Sequence, residues 1–268
     1  MDDETGDAEA APAAEEGELD DDLTKLLRRV QKLVDPRGAI RVAQGPVGLA
    51  WRGVTSEEPR VQVTIAVVTA IALMLTLPER VANHPRWVLP ALATVLLIGV
   101  FVARTARFER RARVLRIVSL ALIGVMSLSN AVSGGRLIVD LVRGEGLSKP
   151  SDLLLAGGAI WLTNVIVFAV WYWEFDRGGP LARAAGSQPY PDFVFPQMTN
   201  PELAPVDWEP GFVDYLYVSF TNAMAFSPTD VMPMTRWAKL TMLTQSVISV
   251  VTLVLVVARA VNILTPPS

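Results

Sequence analysis

The chain contains no cysteine. Disulfides, cysteine-ligated metals and thiol nucleophiles are therefore excluded, and the sequence carries no mark of its redox compartment. Its one histidine, His84, stands in a short loop and reads as a surface residue. HExxH, GxSxG, GxGxxG and Walker patterns are all missing, so the motif-bearing enzyme classes have no support and no enzymatic activity is expected. The opening MDDETGDAEA has neither a basic nor an apolar region, so no cleaved signal peptide is expected. Between Trp237 and Leu264 there is no acid and no glycine, which removes a glycine gating hinge. An inverted internal repeat, the mark of many secondary transporters, is also missing. No metal, organic cofactor or nucleic-acid partner is expected.

What fills the sequence is apolar. Of its 268 residues 51% are hydrophobic, the mean hydropathy is +0.36, and several runs approach the ~20 residues that a helix needs to cross a bilayer. The expected fold class is an all-α polytopic membrane protein of about five spans. The formal charge of −3 hides an asymmetry: residues 1–22 hold eleven acids and no base, leaving 24 bases against 16 acids elsewhere. The first 22 residues read as a disordered acidic tail. Leu23, Leu26, Leu27, Val30, Leu33 and Val34 then recur at helical spacing among Lys25, Arg28, Arg29 and Lys32. This pattern predicts an amphipathic basic helix that lies on an anionic membrane surface or packs on its own copies. With its connector it occupies residues 23–60, where Arg37, Arg41, Arg52 and Arg60 place the N-terminus in the cytoplasm by the positive-inside rule.

Transmembrane helices are expected over 61–150, at Val61–Pro78, Trp87–Ala103 and Ile117–Val142. Arg104, Arg107, Arg110, Arg113 and Arg116 recur at every third residue, the spacing of voltage-sensing helices, but charged and polar residues lie between them. A basic cytoplasmic loop is the better reading. Arg136 and Asp140, at i and i+4, are expected to pair or snorkel.

The region 151–268 organises the rest. An outer helix at 153–173 ends in Trp171-Tyr172-Trp173, an interfacial aromatic belt. Thr163 and Asn164, in its middle, are expected to hydrogen-bond between helices. The proline-rich segment 174–211 carries Glu174, Asp176, Asp192, Glu202, Asp207 and Glu209 against Arg177 and Arg183. It is either an acidic mouth that concentrates cations or an ordinary solvated loop. Residues 212–224 form an aromatic-rich helix of about three turns, too short to cross a bilayer. The loop 225–233 carries Pro228 and Pro233, which cannot continue a helix. A full-length inner helix follows at 237–264. Short helix, irregular loop and full span in succession describe a re-entrant loop. Backbone of that kind survives at membrane depth only when shielded by protein or lining a water-filled cavity.

The stretch from Tyr215 to Leu264 resembles the pore hairpin of potassium-channel-like proteins of the voltage-gated-like superfamily. In that family a pore helix leads into Thr-Val-Gly-Tyr-Gly-Asp, then a proline, then the inner helix. Without a gap, Ala225, Phe226, Ser227, Pro228, Thr229 and Asp230 take the filter positions, with Pro233, Trp237 and Lys239-Leu240 where Pro, Trp and Arg-Leu are common. It is also similar to a class of bacterial membrane proteins with a degenerate filter of this kind. The resemblance implies a tetrameric pore in the inner membrane, with membrane lipids and identical copies as partners and K+ or Na+ as permeant ions. Ser227 and Thr229 stand at the two glycine positions and Pro228 between them, so a potassium-type carbonyl cage is not expected. A ring of hydroxyls and the Asp230 carboxylate would instead favour cations with weak selectivity. Thr221 and Asn222 would support the filter from the pore helix, and Ser246, Ser249 and Thr252 would either wet the pore wall or pack between helices. The rival expectation is a non-conducting scaffold that keeps the pore fold without its filter.

Span parity leaves three solutions. Four spans return the chain to the arginine side before the hairpin, whereas potassium channels enter theirs from outside. Either Ile117–Val142 is a hairpin or partial span broken at Gly134-Gly135, or a further span exists, or the pore is inverted as in glutamate-receptor channels.

Overall fold

The computed structural model describes residues 60–83, 85–105, 111–144, 149–188, 190–205, 208–224 and 230–264. The acidic tail, residues 23–59 and His84 lie outside them. The described chain is mostly helical: α1 (Val61–Thr76), α2 (Val88–Thr105), α3 (Arg111–Val142), α4 (Pro150–Phe175), α5 (Pro180–Ala184), α6 (Pro196–Thr199), α7 (Phe212–Met224) and α8 (Arg236–Leu264). Its one sheet pairs β1 (Phe193–Val194) with β2 (Met232–Pro233), antiparallel, with Phe193 opposite Pro233. Three helices, α3, α4 and α8, are long and apolar enough to cross a membrane; α1 and α2 are apolar but shorter.

The helices run alternately up and down. Arg60, just before α1, lays its guanidinium 5.5 Å from the centre of the Trp173 ring at the end of α4. Arg116, near the start of α3, donates to the carbonyl of Gly178 just beyond α4. At the opposite end Arg136 donates to the carbonyl of Ala82, and Arg259 donates to that of Gly144 at 2.9 Å. One end, the arginine end, thus gathers the starts of α1 and α3 and the finish of α4.

Two sequence expectations change here. The region 117–142 is neither a hairpin nor a partial span, because α3 continues through Gly134-Gly135 as one helix of 32 residues. Each glycine costs a helix interior about 1 kcal/mol, which packing along the rest of a helix this long offsets. Arg136 does not meet Asp140; its guanidinium serves Ala82 instead. The arginine run is divided as well. Arg104 lies in the last turn of α2, while Arg113 and Arg116 lie in the first turns of α3, so the series does not stack along one helix.

The centre of the bundle is α4, which packs against α1, α3, α7 and α8. A proline at its first position starts it without wasting a donor. Beyond Phe175 the chain turns through Arg177, Gly178 and Gly179, all at positive φ. It comes close to α8 at Gly157, where an added Cβ would stand 2.7 Å from a methyl of Val256. Valine is stiff at χ1 and cannot swing away. Gly157→Ala is therefore expected to destabilise the protein by about 1–3 kcal/mol, and Val256→Ala in the same chain should recover part of the loss. Thermal unfolding of both variants decides it; an unchanged Gly157→Ala midpoint would mean that the two helices do not touch there.

Candidate functional site: a half-depth helix and its polar seam

The helix α7 begins after Pro210-Gly211. The Asp214 carboxylate, in its first turn, accepts the N–H of Gly211 at 2.8 Å, which satisfies a donor at the positive end of the helix dipole. From there α7 descends along α4. Phe212 meets Trp173 edge-on at 6.3 Å, the Ser219 hydroxyl donates to the Val165 carbonyl at 2.6 Å, and Phe220 meets Trp161 at 5.6 Å. Its 13 residues give it a length of ~20 Å, about two-thirds of a bilayer core. By Met232–Pro233 the chain is back at the arginine end, paired with β1, and α8 departs from there. Entry and return at one end make the described residues of 212–233 the two limbs of a hairpin, and its helical limb, α7, reaches part of the way down the bundle.

Its root is a buried polar cluster. Asp176 is fully buried and accepts three hydrogen bonds: the Tyr215 hydroxyl at 2.6 Å and the N–H groups of Asp192 at 2.8 Å and Phe193 at 3.3 Å. Asp192 in turn accepts the N–H of Arg177 at 2.9 Å and the indole N–H of Trp237 at 2.8 Å. Arg183 donates to the carbonyls of Trp173 and Asp176 and stacks near the faces of Trp173 and Tyr215. The end of α4, β1, the start of α7 and the start of α8 are thereby tied to two carboxylates, and β2 joins them through its pairing with β1. These acids fit neither the mouth nor the solvated loop: Glu174 and Asp176 are buried and Asp192 is spent on internal bonds, while Glu202 is exposed.

Farther in, a second cluster fastens α7 to α8. Gln245, with no exposed surface, donates through Nε2 to the Ser219 carbonyl at 2.9 Å and hydroxyl at 2.7 Å. Its Oε1 accepts the Tyr172 hydroxyl at 2.6 Å and the Asn222 amide at 2.8 Å. The amide orientations follow from the network: Asn222 also faces the Met242 carbonyl, an obligate acceptor, at 2.9 Å, so its nitrogen lies there and Gln245 must present oxygen. All four hydrogen-bonding positions of Gln245 are filled.

Of the residues singled out from sequence, Thr221 donates back to Tyr217 and Val218 within α7, and Asn222 is a strut to α8. Ser246 bonds the Asn222 carbonyl and side-chain oxygen. Ser249 is buried and accepts from Asn164 of α4 at 3.0 Å, while Asn164 receives a 3.5 Å contact from Asn130 of α3. Thr252 is buried too. Ser249 and Thr252 thus face the interior of their own chain rather than a pore wall, Ser249 toward Asn164 of α4. The side that α8 leaves exposed carries Leu240, Leu243, Val247, Val251, Val254 and Val257. Asp230 is exposed where the chain returns. Ala225, Phe226, Ser227, Pro228 and Thr229 lie outside the described residues.

Sequence reasoning passed over Gln245 and the binding roles of Asp176, Asp192 and Tyr215. The signal for Gln245 was present: it is the one carboxamide in the apolar run between Trp237 and Val261, and a lone amide in such a run needs partners.

Among the described residues, fold and site together define a mostly helical protein with three helices fit to cross a membrane and a hairpin with a short helical limb between the last two. Comparison with known proteins finds no matching family model, no similar curated protein and no similar solved structure.

Proposed function

We propose that this is a pore-loop membrane protein of the ion-channel type, a tetramer in the inner membrane that passes monovalent cations such as K+ or Na+ with weak selectivity. The observation that carries the reading is the hairpin: α7 goes part of the way in, the chain returns to the same end, and α8 follows at full length. The four helices α1 to α4, crossing between the two ends in turn, leave the hairpin at the arginine end, and α8 makes a fifth crossing after it. The connection 104–116 holds six arginines, whereas the opposite turns 77–87 and 143–149 hold two bases each. By the positive-inside rule the arginine end faces the cytoplasm, so the pore loop enters from the cytoplasm, the inverted solution to the parity problem. Asp230 and the hydroxyls of Ser227 and Thr229 would line the narrow part and attract cations. Below it the exposed valines and leucines of α8 would make a wall that resists wetting, a hydrophobic gate.

Flux from proteoliposomes under a potassium or sodium gradient tests this against empty liposomes. Asp230→Asn is expected to reduce cation preference, read as a reversal potential moved toward zero, with thermal stability unchanged. A reversal potential identical to that of the parent protein would remove Asp230 from the pathway. The second reading, a non-conducting scaffold, is favoured by the inward turn of Ser249 and Thr252 and the apolar free face of α8. Absence of flux from folded, tetrameric protein would select it, and a folded monomer would sink both.

A further inference from the structure

At the arginine end, between the starts of α1 and α3 and the turn after α4, lies a cavity of about 430 Å³. Three guanidinium groups line it, those of Arg60, Arg113 and Arg116, with the Ser119 hydroxyl and the Gly178-Gly179 turn; its one acid, Glu174, is buried. The formal balance of these groups is two positive charges. Arg116 is fixed at the rim by its bond to the Gly178 carbonyl, and Arg60 by the face of Trp173. Guanidinium groups held this way suit a phosphate, whose oxygens accept their N–H groups in pairs.

A second, narrow cleft continues from the first, sharing Arg60, Ser119 and Glu174. It descends between α1, α2 and α3, and its walls are Val63, Val67, Leu97, Val100, Leu122 and Ile123. A basic chamber at the helix ends above an apolar cleft parallel to the helices matches an amphiphile with an anionic head, not a bare anion, which would leave the cleft unused. The head would lie at the level of the interface and the tail would follow the helices, as a lipid of that leaflet is already oriented. We infer that this is a binding site for one anionic phospholipid of the leaflet at the arginine end, its phosphate on Arg60, Arg113 and Arg116 and the first methylenes of one acyl chain along the cleft. The inference requires a membrane protein but not a conducting one.

Thermal unfolding of the full chain in a neutral detergent, titrated with dioctanoyl phosphatidylglycerol, dioctanoyl phosphatidylcholine or glycerol 3-phosphate, tests it. Phosphatidylglycerol is expected to raise the midpoint saturably, and the other two should have little effect at the same concentrations. Because each arginine near a phosphate contributes a modest electrostatic attraction, Arg113→Gln should weaken the apparent affinity about fivefold, with Arg113→Lys less affected. Arg113 is exposed, so its replacement leaves the fold intact. Leu97→Gln, in the cleft, should weaken phosphatidylglycerol as well, while Arg86→Gln at the opposite end should change nothing. Equal protection by phosphatidylcholine would overturn the charge assignment. Equal protection by glycerol 3-phosphate would reduce the site to a free-anion pocket and overturn the lipid. Unaltered phosphatidylglycerol affinity in folded Arg113→Gln would overturn the location.

Discussion

Gln245→Met is expected to lower stability by about 2–4 kcal/mol, although methionine matches glutamine in length and is the more apolar. The reason is the number of groups it would strand. The Tyr172 hydroxyl, the Asn222 amide and the carbonyl and hydroxyl of Ser219 all end on Gln245, in a place without exposed surface. Interhelical hydrogen bonds in membrane proteins average only about 0.6 kcal/mol each, since the unfolded chain in the membrane finds other partners. Four such bonds give the lower figure, and the buried donors left without acceptors supply the rest. Thr244→Ala, one residue away on the exposed side, should stay within about 0.5 kcal/mol of the parent protein. Asn222→Ala should cost less in the Gln245→Met background than alone, by about 1 kcal/mol, because both remove the same bond. Thermal unfolding of these four variants and the parent protein reads all of this. A Gln245→Met protein as stable as its parent would mean that apolar packing alone holds α7 against α8. The result bears on function because a loop at the tip of α7 can hold a pore only if α7 itself is fixed.

Helical character was legible in the apolar runs, and α7 was marked off by Pro210-Gly211 ahead of it and by the prolines behind. Two other features were not legible, each for a physical reason. Gly134-Gly135 looked like a break because propensity is local, whereas the persistence of α3 is decided by what packs along its whole length. The side chains Ser246, Ser249 and Thr252 were ambiguous because a hydroxyl that faces water and one that faces a neighbouring helix occupy the same helical spacing; only the position of Asn164 opposite Ser249 separates them. The parity problem belongs with these. It turned on whether α3 crosses once or twice, and with one crossing the hairpin falls at the arginine end. The acids of 174–211 misled in the other direction. Composition left a charged entrance and a solvated loop open, but carboxylates beside backbone N–H groups, a tyrosine and a tryptophan form a structural knot, and those partners lie 15 to 45 residues away in sequence.

Asp176→Ala should be the most damaging single change among the described residues, costing about 3–5 kcal/mol, the scale for removing one partner from a buried charged network. It would strand the Tyr215 hydroxyl and the N–H groups of Asp192 and Phe193 and remove the carboxylate that interacts with the Arg183 guanidinium. Asp176→Asn should be intermediate, since its remaining oxygen still accepts the two backbone donors while its NH2 meets the tyrosine oxygen. Tyr215→Phe removes one bond to a charged acceptor and should cost roughly 1.5–3 kcal/mol. The expected order of thermal midpoints is therefore Asp176→Ala below Asp176→Asn, with Tyr215→Phe at or above the latter. This series also separates the root of the hairpin from its tip. Damage at Asp176 should lower stability and flux together, because β1, β2, α7 and α8 all converge there. Asp230→Asn should alter ion preference at unchanged stability, because Asp230 is exposed. If Asp176→Ala instead folded normally and lost only flux, Asp176 would belong to the ion pathway, and the root of the hairpin rather than the loop would be the place where ions are selected.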